Sequence, residues 1–243
     1  MMQSNGQQIC GKNMIVNFIT YKWGTKYGPE YVNRLYLTLK NTYSGEFVFY
    51  CITDDIKGLN TDIKTIKLEK SFSKVFSIQK IQCMSIGHEI QGNKVLLDLD
   101  ILVQNNLYPY LLKYNFCEPR FAKASWQNKE NVMKTTHNAS CLVNSSFVTW
   151  KDDQLDFLYK FYIKYKIIVE KKYNSFDRSL FANFYDILKY HKDNLIYSYS
   201  FDDEPKTFKK NALICIFLTS HGEGIELHDA DGWAKEMWCR YDR

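Results

Sequence analysis

Short apolar runs alternate with stretches of helical period over the first hundred residues. The apolar runs predict buried strands, and one alternating stretch predicts a short half-buried strand. These predicted strands cover residues 14–20, 47–53, 63–68 and 94–97. Between them, residues 30–40 and 75–86 carry apolar side chains three and four positions apart, which predicts two helices. Strands and helices in this order predict a parallel sheet with right-handed crossovers.

The second half of the chain is less regular but is also mixed α/β. Its predicted strands cover 141–150, 195–199 and 212–218, and its predicted helices cover 154–169 and 176–190. No internal repeat or low-complexity linker separates the halves, which predicts a single domain over 1–243 with a flexible stretch at 1–12.

Asp98 and Asp100 follow the apolar run at 94–97 directly. Two carboxylates at the end of a buried strand are costly to bury without a partner, and Mn²⁺ or Mg²⁺ prefers such oxygen ligands. Ligands of parallel sheets bind outside the carboxyl ends of the strands. Residues 53–54 and the loop after the first strand are expected at that same edge. By itself the pattern is also compatible with a solvated strand end.

Composition narrows the class of protein. The 243 residues carry a net charge of +5 with no long run of Lys or Arg, so no nucleic-acid tail is predicted. The seven cysteines form no C-x-x-C pair, which argues against structural zinc and for free thiols in a reducing compartment. No apolar stretch is long enough to span a membrane and the N-terminus is polar. The expected location is the cytoplasm, that of the host cell if the protein is viral.

Several segments, in this order and spacing, are also found together in one enzyme family. They are residues 26–35, 49–55, Lys80, 95–100, 143–150, Asp177 and 217–222. With them the chain resembles glycosyltransferases of the GT-A fold, in particular small soluble bacterial and viral members related to the glycogenin and galactosyltransferase-like group. The resemblance runs from Val16 to Trp238 and implies one Rossmann-like mixed, mainly parallel sheet flanked by helices.

The resemblance implies a role for each part of a nucleotide-sugar site. The implied metal ligands for Mn²⁺ or Mg²⁺ are Asp98, Asp100 and His221. The implied catalytic residues are Asp177, Asn144 and Lys80. The implied nucleotide-sugar contacts are Tyr21, Lys22, Trp23, Tyr27, Thr53, Asp54, Lys80, Asp98, Leu99, Asn144 and Gly222. The chain departs from the family after His221-Gly222, where Glu223 and Glu226 stand in place of a Lys and Pro that contact the diphosphate.

The expected activity is metal-dependent transfer of a hexose from a UDP-sugar, or secondarily a GDP-sugar, to a glycan or a protein- or lipid-linked acceptor, with retention of configuration. Two alternatives are a nucleotidyltransferase that makes a sugar nucleotide and an inactive sugar-nucleotide-binding module. The sequence indicates no oligomeric state.

Individual residues also have structural interpretations. Lys80 fits the polar face of a helix, Asp177 fits the first turn of a helix, where the dipole favours a carboxylate, and His221 fits a loop. The C-terminal segment 220–243 is predicted to close over the donor. The alternative is a terminal helix docked on the back of the domain.

Overall fold

The computed structural model describes residues 14–69, 72–85, 90–127, 141–220 and 223–242. The strands are β1 (Val16–Lys22), β2 (Phe47–Thr53), β3 (Lys64–Lys67), β4 (Asn93–Leu97), β5 (Ile101–Val103), β6 (Arg120–Lys123), β7 (Val143–Lys151), β8 (Lys189–Tyr190), β9 (Ile196–Ser198), β10 (Ile214–Ile216), β11 (Thr219–Ser220) and β12 (Glu223–Gly224). The α-helices are α1 (Pro29–Thr42), α2 (Tyr108–Tyr114), α3 (Asp156–Lys172), α4 (Phe176–Phe184) and α5 (Gly232–Trp238). Short 3-10 helices cover Phe76–Met84, Asp193–Leu195 and Leu227–Asp229.

A seven-stranded sheet in the order β3-β2-β1-β4-β7-β6-β8 forms the centre of the molecule. The first four strands of that order are parallel, whereas β7 is antiparallel to both β4 and β6. The carboxyl ends of β1 and β4 therefore lie at one edge of the sheet. Because β7 runs in the opposite direction, its first residues reach that same edge, with Leu97 paired to Phe147.

Two apolar layers cover the two faces of this sheet. Along β1, Phe18 belongs to the core formed with α1, α5 and the small sheet β5-β10-β9. Ile19 and Tyr21 belong to the second core, formed with the 3-10 helix Phe76–Met84, α3 and α4. The strand is buried on both faces, which explains why its sequence is a continuous apolar run and not an alternating one.

Several predicted elements are confirmed, and β2 has the predicted bounds. The helix predicted at 75–86 is a 3-10 helix, Phe76–Met84. The helix predicted over 176–190 was wrong in length: α4 ends at Phe184, and Lys189–Tyr190 pairs with β6 as a strand. The elements β5, α2 and β6 were not predicted.

Other predictions concern the chain as a whole. The stretch predicted to be flexible, 1–12, lies outside the described residues. The six cysteines within the described ranges are all free. In the same ranges, no helix combines the length and apolar character that crossing a bilayer requires.

Candidate active site

A cavity of about 250 Å³ opens at the carboxyl edge of β1 and β4. The end of β1 and the loop after it form one wall, the residues after β4 form the floor, and the 3-10 helix Phe76–Met84 forms another wall. The lining residues are Tyr21, Trp23, Lys26, Tyr27, Ser77, Lys80, Asp98, Leu99 and Asp100. The cavity therefore combines three aromatic rings, two lysines and two carboxylates.

Asp98 is held at the cavity floor by contacts from two directions. The Lys80 Nζ lies 2.6 Å from both of its carboxylate oxygens, and the Ser146 hydroxyl donates to Oδ2 at 2.9 Å. The Asp98 backbone N–H also donates to the carbonyl of Ser146 at 3.0 Å. Because Lys80 is only 7 % exposed, this is a desolvated ion pair, and removing either partner would leave an uncompensated charge.

The same lysine connects Asp98 to a third carboxylate. Lys80 Nζ donates to the Ser145 hydroxyl at 3.2 Å, and the Ser145 backbone N–H donates to Asp177 Oδ1 at 3.0 Å. Burial works to lower the pKa of Lys80, but the charges of Asp98 and Asp177 outweigh it and raise that pKa. Burial raises the pKa of Asp177, and the charge of Lys80 opposes this. Lys80 is thus a permanent cation between two carboxylates.

Asp100 has a different environment. Its burial, followed by the negative charge of Asp98, raises the pKa of its carboxyl to about 7. The Tyr27 hydroxyl lies 3.1 Å from Asp100 Oδ2 and 3.4 Å from Glu226 Oε2. Burial and these two carboxylates raise the pKa of Tyr27, so its hydroxyl keeps its proton. The charges of Lys80 and Lys26 oppose the rise in the pKa of Asp100 without cancelling it, and a cation bound there would favour the ionised carboxylate.

Two polar contacts, one at Gly24 and one at Lys26, hold the loop after β1 in place. The Gly24 N–H donates to Asp54 Oδ2 at 3.2 Å, where Gly24 has a positive φ of 60°. Lys26 Nζ pairs with Glu226 Oε1 at 3.0 Å. The Trp23 ring meets the Tyr21 ring edge to face, with 6.3 Å between centroids.

Four of the predicted nucleotide-sugar contacts do not line the cavity. Lys22 is 4 % exposed and lies at the end of β1. Thr53 Oγ1 donates to the carbonyl of Asp55 at 3.0 Å and closes the turn after β2, and Asp54 holds the first loop. Asn144 Oδ1 accepts from the Ser146 N–H at 2.9 Å inside β7.

The predicted metal ligands are only partly described. Asp98 and Asp100 both line the cavity, whereas His221 and the predicted contact Gly222 lie outside the described residues. Within the ranges that are described, no cluster of three His, Cys, Asp or Glu side chains forms a complete metal site. The two carboxylates nonetheless fit a divalent cation, since their mutual repulsion is what such an ion relieves.

Sequence reasoning missed several residues that build this site. They are Lys26, Ser77, Ser145, Ser146 and Glu226. Ser145 and Ser146 belong to the segment 143–150, but only its pairing with β4 reveals that their side chains reach Lys80 and Asp98. Nothing in the sequence distinguishes Ser77.

Among the described residues of the C-terminal segment, Glu226 reaches the site and the helix α5 packs elsewhere. Glu226 contacts Lys26 and Tyr27 at the rim. Farther along, the Trp238 ring packs on Tyr31 at 5.1 Å, and Arg34 forms a bidentate pair with Asp242 at 2.6 Å. The helix α5 is therefore docked on α1, while closure of segment 220–243 over a donor stays a prediction.

Comparison with known proteins finds solved structures of similar fold but no protein of similar sequence. No protein-family model matches the chain, and no curated protein matches it significantly in sequence. Among solved structures, an active-site mutant of LgtC superposes with a TM-score of 0.60 at 11 % identity over 91 % of this chain and 93 % of that one. The galactosyltransferase LgtC in complex with donor and acceptor sugar analogues superposes with a TM-score of 0.57 at 10 % identity, over 82 % of this chain and 86 % of that one.

The chain has the GT-A fold. This confirms the predicted fold class, a mixed, mainly parallel sheet flanked by helices. In this GT-A fold the cavity lies where a parallel sheet of this kind binds its ligands, at the carboxyl ends of the strands.

Proposed function

We propose that this protein is a glycosyltransferase that moves a hexose from a nucleotide-diphosphate sugar, with a UDP-sugar as the first choice of donor, to a glycan or a protein- or lipid-linked acceptor. The observation that carries the proposal is the cavity itself. It combines aromatic rings for a base, a buried cation for phosphates and paired carboxylates for a divalent metal within a GT-A fold.

The aromatic wall fits the nucleoside part of the donor. Tyr21, Trp23 and Tyr27 come from one loop and the strand before it, and all three line the cavity. Planar rings bind a base by stacking without requiring a particular base edge. The preference for uracil rests on the resemblance of the sequence to the family.

Asp98 and Asp100 would hold the metal, Mn²⁺ or Mg²⁺. Bound there, the metal would neutralise the diphosphate as the sugar–phosphate bond breaks. Lys80 orients Asp98 through its 2.6 Å contacts. It would also contribute a fixed positive charge toward the leaving diphosphate, since its pKa is raised and it cannot lose its proton near neutral pH.

Asp177 is the proposed carboxylate beside the transferred sugar. It is half-buried, and its Oδ1 accepts a hydrogen bond from the Ser145 backbone N–H at 3.0 Å. We propose that Asp177 positions the donor sugar through its carboxylate and that the reaction retains the anomeric configuration. Proton NMR of the product's anomeric signal would distinguish retention from inversion.

The direct test is to measure what leaves the donor. The protein is incubated with a panel of UDP- and GDP-sugars, Mn²⁺ and a mixture of oligosaccharide acceptors. Release of UDP with formation of a glycoside supports a glycosyltransferase. Release of pyrophosphate from a sugar phosphate and a nucleoside triphosphate would instead show a nucleotidyltransferase, and UDP binding without turnover of any donor would show a binding module.

A matched pair of lysine variants tests the role of the buried cation. Lys80→Met should weaken UDP binding or slow turnover by roughly tenfold to a hundredfold, because a charge-assisted contact to phosphate is worth about 1.5–3 kcal/mol. Lys57→Met, on an exposed turn, is the control and should leave both unchanged. Circular dichroism checks folding, and partial rescue by Lys80→Arg would separate charge from packing. Wild-type kinetics in folded Lys80→Met would contradict the proposed role.

A further inference from the structure

The outer face of α3 carries large apolar side chains that contact solvent. Ile167 is 83 % exposed, Ile168 61 % and Ile163 49 %. Other side chains of the same helix, Leu158 and Val169, are buried in the core. The exposed isoleucines are therefore additional to the apolar side chains that attach α3 to the core, and neighbouring exposed apolar side chains are a feature of interaction sites.

Lysines lie beside these isoleucines. Helix α3 is kinked at Tyr165, where φ and ψ are not helical. Residues four apart lie in one row of a regular helix. Beyond the kink, Ile167 therefore lies in a row with Lys171, and Ile168 with Lys172. Before the kink, Lys160 lies in a row with Lys164, next to Ile163. The lysines at 160, 164, 171 and 172 are all exposed.

The two acidic residues of α3 offset this positive charge only in part. Asp156 is 5 % exposed and pairs with Lys160 at 2.7 Å. Glu170 Oε1 accepts from the Tyr162 hydroxyl at 2.6 Å and the Ser73 hydroxyl at 2.7 Å, so it is bound to the body of the protein. The outward face of α3 is consequently apolar and cationic at once.

We propose that α3 docks on an anionic lipid bilayer surface, with Ile163, Ile167 and Ile168 entering the interface and the lysines contacting the headgroups. Exposed apolar side chains beside lysines are what a helix at a bilayer interface presents to the acyl chains and the headgroups. Long lysine side chains can bury their stems in the interface and keep their charge at the headgroups.

Two other occupants fit the surface less well. A second copy of the chain would bring two lysine-rich faces together, and like charges repel at short distance. A nucleic acid would leave the isoleucines without a partner, since its outer surface is phosphate. Charge complementarity therefore favours anionic lipid.

The location of α3 relates this surface to the cavity. Ile78 and Ile81 of the 3-10 helix Phe76–Met84 pack with Leu158 and Tyr162 of α3, and Lys80 of the same 3-10 helix lines the cavity. One short helix thus separates the proposed membrane face from the candidate active site. Membrane binding through α3 would not require catalysis, so binding to vesicles can be measured by itself.

Vesicle co-sedimentation tests the proposal with the full-length protein. Vesicles of phosphatidylcholine mixed with phosphatidylglycerol are compared with vesicles of phosphatidylcholine alone, at low and at physiological salt. We expect binding to the anionic vesicles only, and weaker binding at the higher salt because surface charges are screened.

Two double variants separate the charge from the apolar side chains. Lys164→Glu with Lys171→Glu should lower partitioning at least about 25-fold, since each lysine near an anionic surface contributes about fivefold. Ile167→Asn with Ile168→Asn should lower it about tenfold or more through lost apolar burial. The control pair, Ile56→Asn with Lys57→Glu, changes an isoleucine that is 65 % exposed elsewhere and should leave partitioning within about twofold.

Three results would overturn the proposal. Equal binding to both kinds of vesicle would show that charge has no part in it, and an equal loss in the control pair would show that α3 is not the surface. A dimer in vesicle-free sedimentation that Ile167→Asn with Ile168→Asn converts to monomer would make a second copy the occupant. Circular dichroism confirms that each variant is folded, as expected for substitutions at exposed positions.

Discussion

His191 is a buried histidine whose neutral form stabilises the fold. It is 2 % exposed, follows β8, and stacks on the Phe147 ring with 4.3 Å between centroids. Its Nδ1 lies 2.6 Å from the Tyr110 hydroxyl. Burial, and then the charge of Arg120, lower the pKa of His191 to about 3.

This shift sets the direction of a pH effect on stability. The unfolded chain binds a proton at an ordinary histidine pKa of about 6.5, whereas the folded chain does so only at about 3. Between these values the unfolded state holds more protons, so the free energy of unfolding falls as the pH falls. The contribution of neutral His191 to the free energy of unfolding is fully present above pH 6.5, and about 2.5 kcal/mol of this contribution is lost between pH 7 and pH 4.5.

Urea unfolding of three proteins at several pH values measures this effect. His191→Asn keeps a hydrogen-bond acceptor for Tyr110 but removes the titrating ring. Between pH 7 and 4.5, the free energy of unfolding of this variant should therefore fall by about 2.5 kcal/mol less than that of the wild type. Val169→Ala is the control: it creates a cavity at a buried position and should lower stability by about 2 kcal/mol at both pH values.

Two results would refute the reasoning. One is the same pH dependence in wild type and His191→Asn. The other is an NMR titration of His191 in the folded protein with a pKa near its ordinary value.

Three further predictions concern the site and the chain around it. Asp100→Asn should remain folded and lose the Mn²⁺-dependent rise in melting temperature with UDP, and an unchanged rise in a thermal-shift assay would contradict a metal role for this carboxylate. A double-mutant cycle on Arg34→Met and Asp242→Asn should give a coupling free energy of about 1 kcal/mol, because the ion pair is bidentate but partly exposed. A coupling of zero would show that this ion pair does not attach the C-terminal segment to α1. Gly224→Ala should lower the free energy of unfolding, measured in urea, more than Gly24→Ala does. Both glycines have a positive φ, but only at Gly224 would the new Cβ meet a backbone atom. Equal losses in the two variants would refute this steric argument.

The sequence predicts best where burial alone decides the structure. The strand β2 is a run of apolar residues between polar neighbours and was predicted with its observed bounds. By contrast, Lys189–Tyr190 is a strand only because it pairs with β6, and the local sequence does not indicate this pairing. The helix α2 was missed because it has only seven residues and a proline in its first turn, too little for a periodic signal.

The candidate site also has a part that the local sequence predicts and a part that depends on the pairing of distant strands. Asp98, Asp100 and the first loop could be placed at one edge of the sheet because parallel strands put their carboxyl ends together. The contributions of Ser145 and Ser146 depend on β7 lying antiparallel to β4, which the sequence pattern does not specify. Thr53 and Asp54 were expected at the ligand, but their side chains hold the turn after β2 and the first loop.

The Tyr27 hydroxyl has a single proton for two carboxylates. Asp100 and Glu226 lie 3.1 and 3.4 Å from it, and a hydroxyl can donate to only one acceptor at a time. The two acids therefore compete for one hydrogen bond. A cation that satisfied Asp100 would release that bond to Glu226 and so tighten the attachment of the C-terminal segment to the first loop. In this way a change of charge at the cavity floor would be transmitted to the rim by the rotation of one O–H bond.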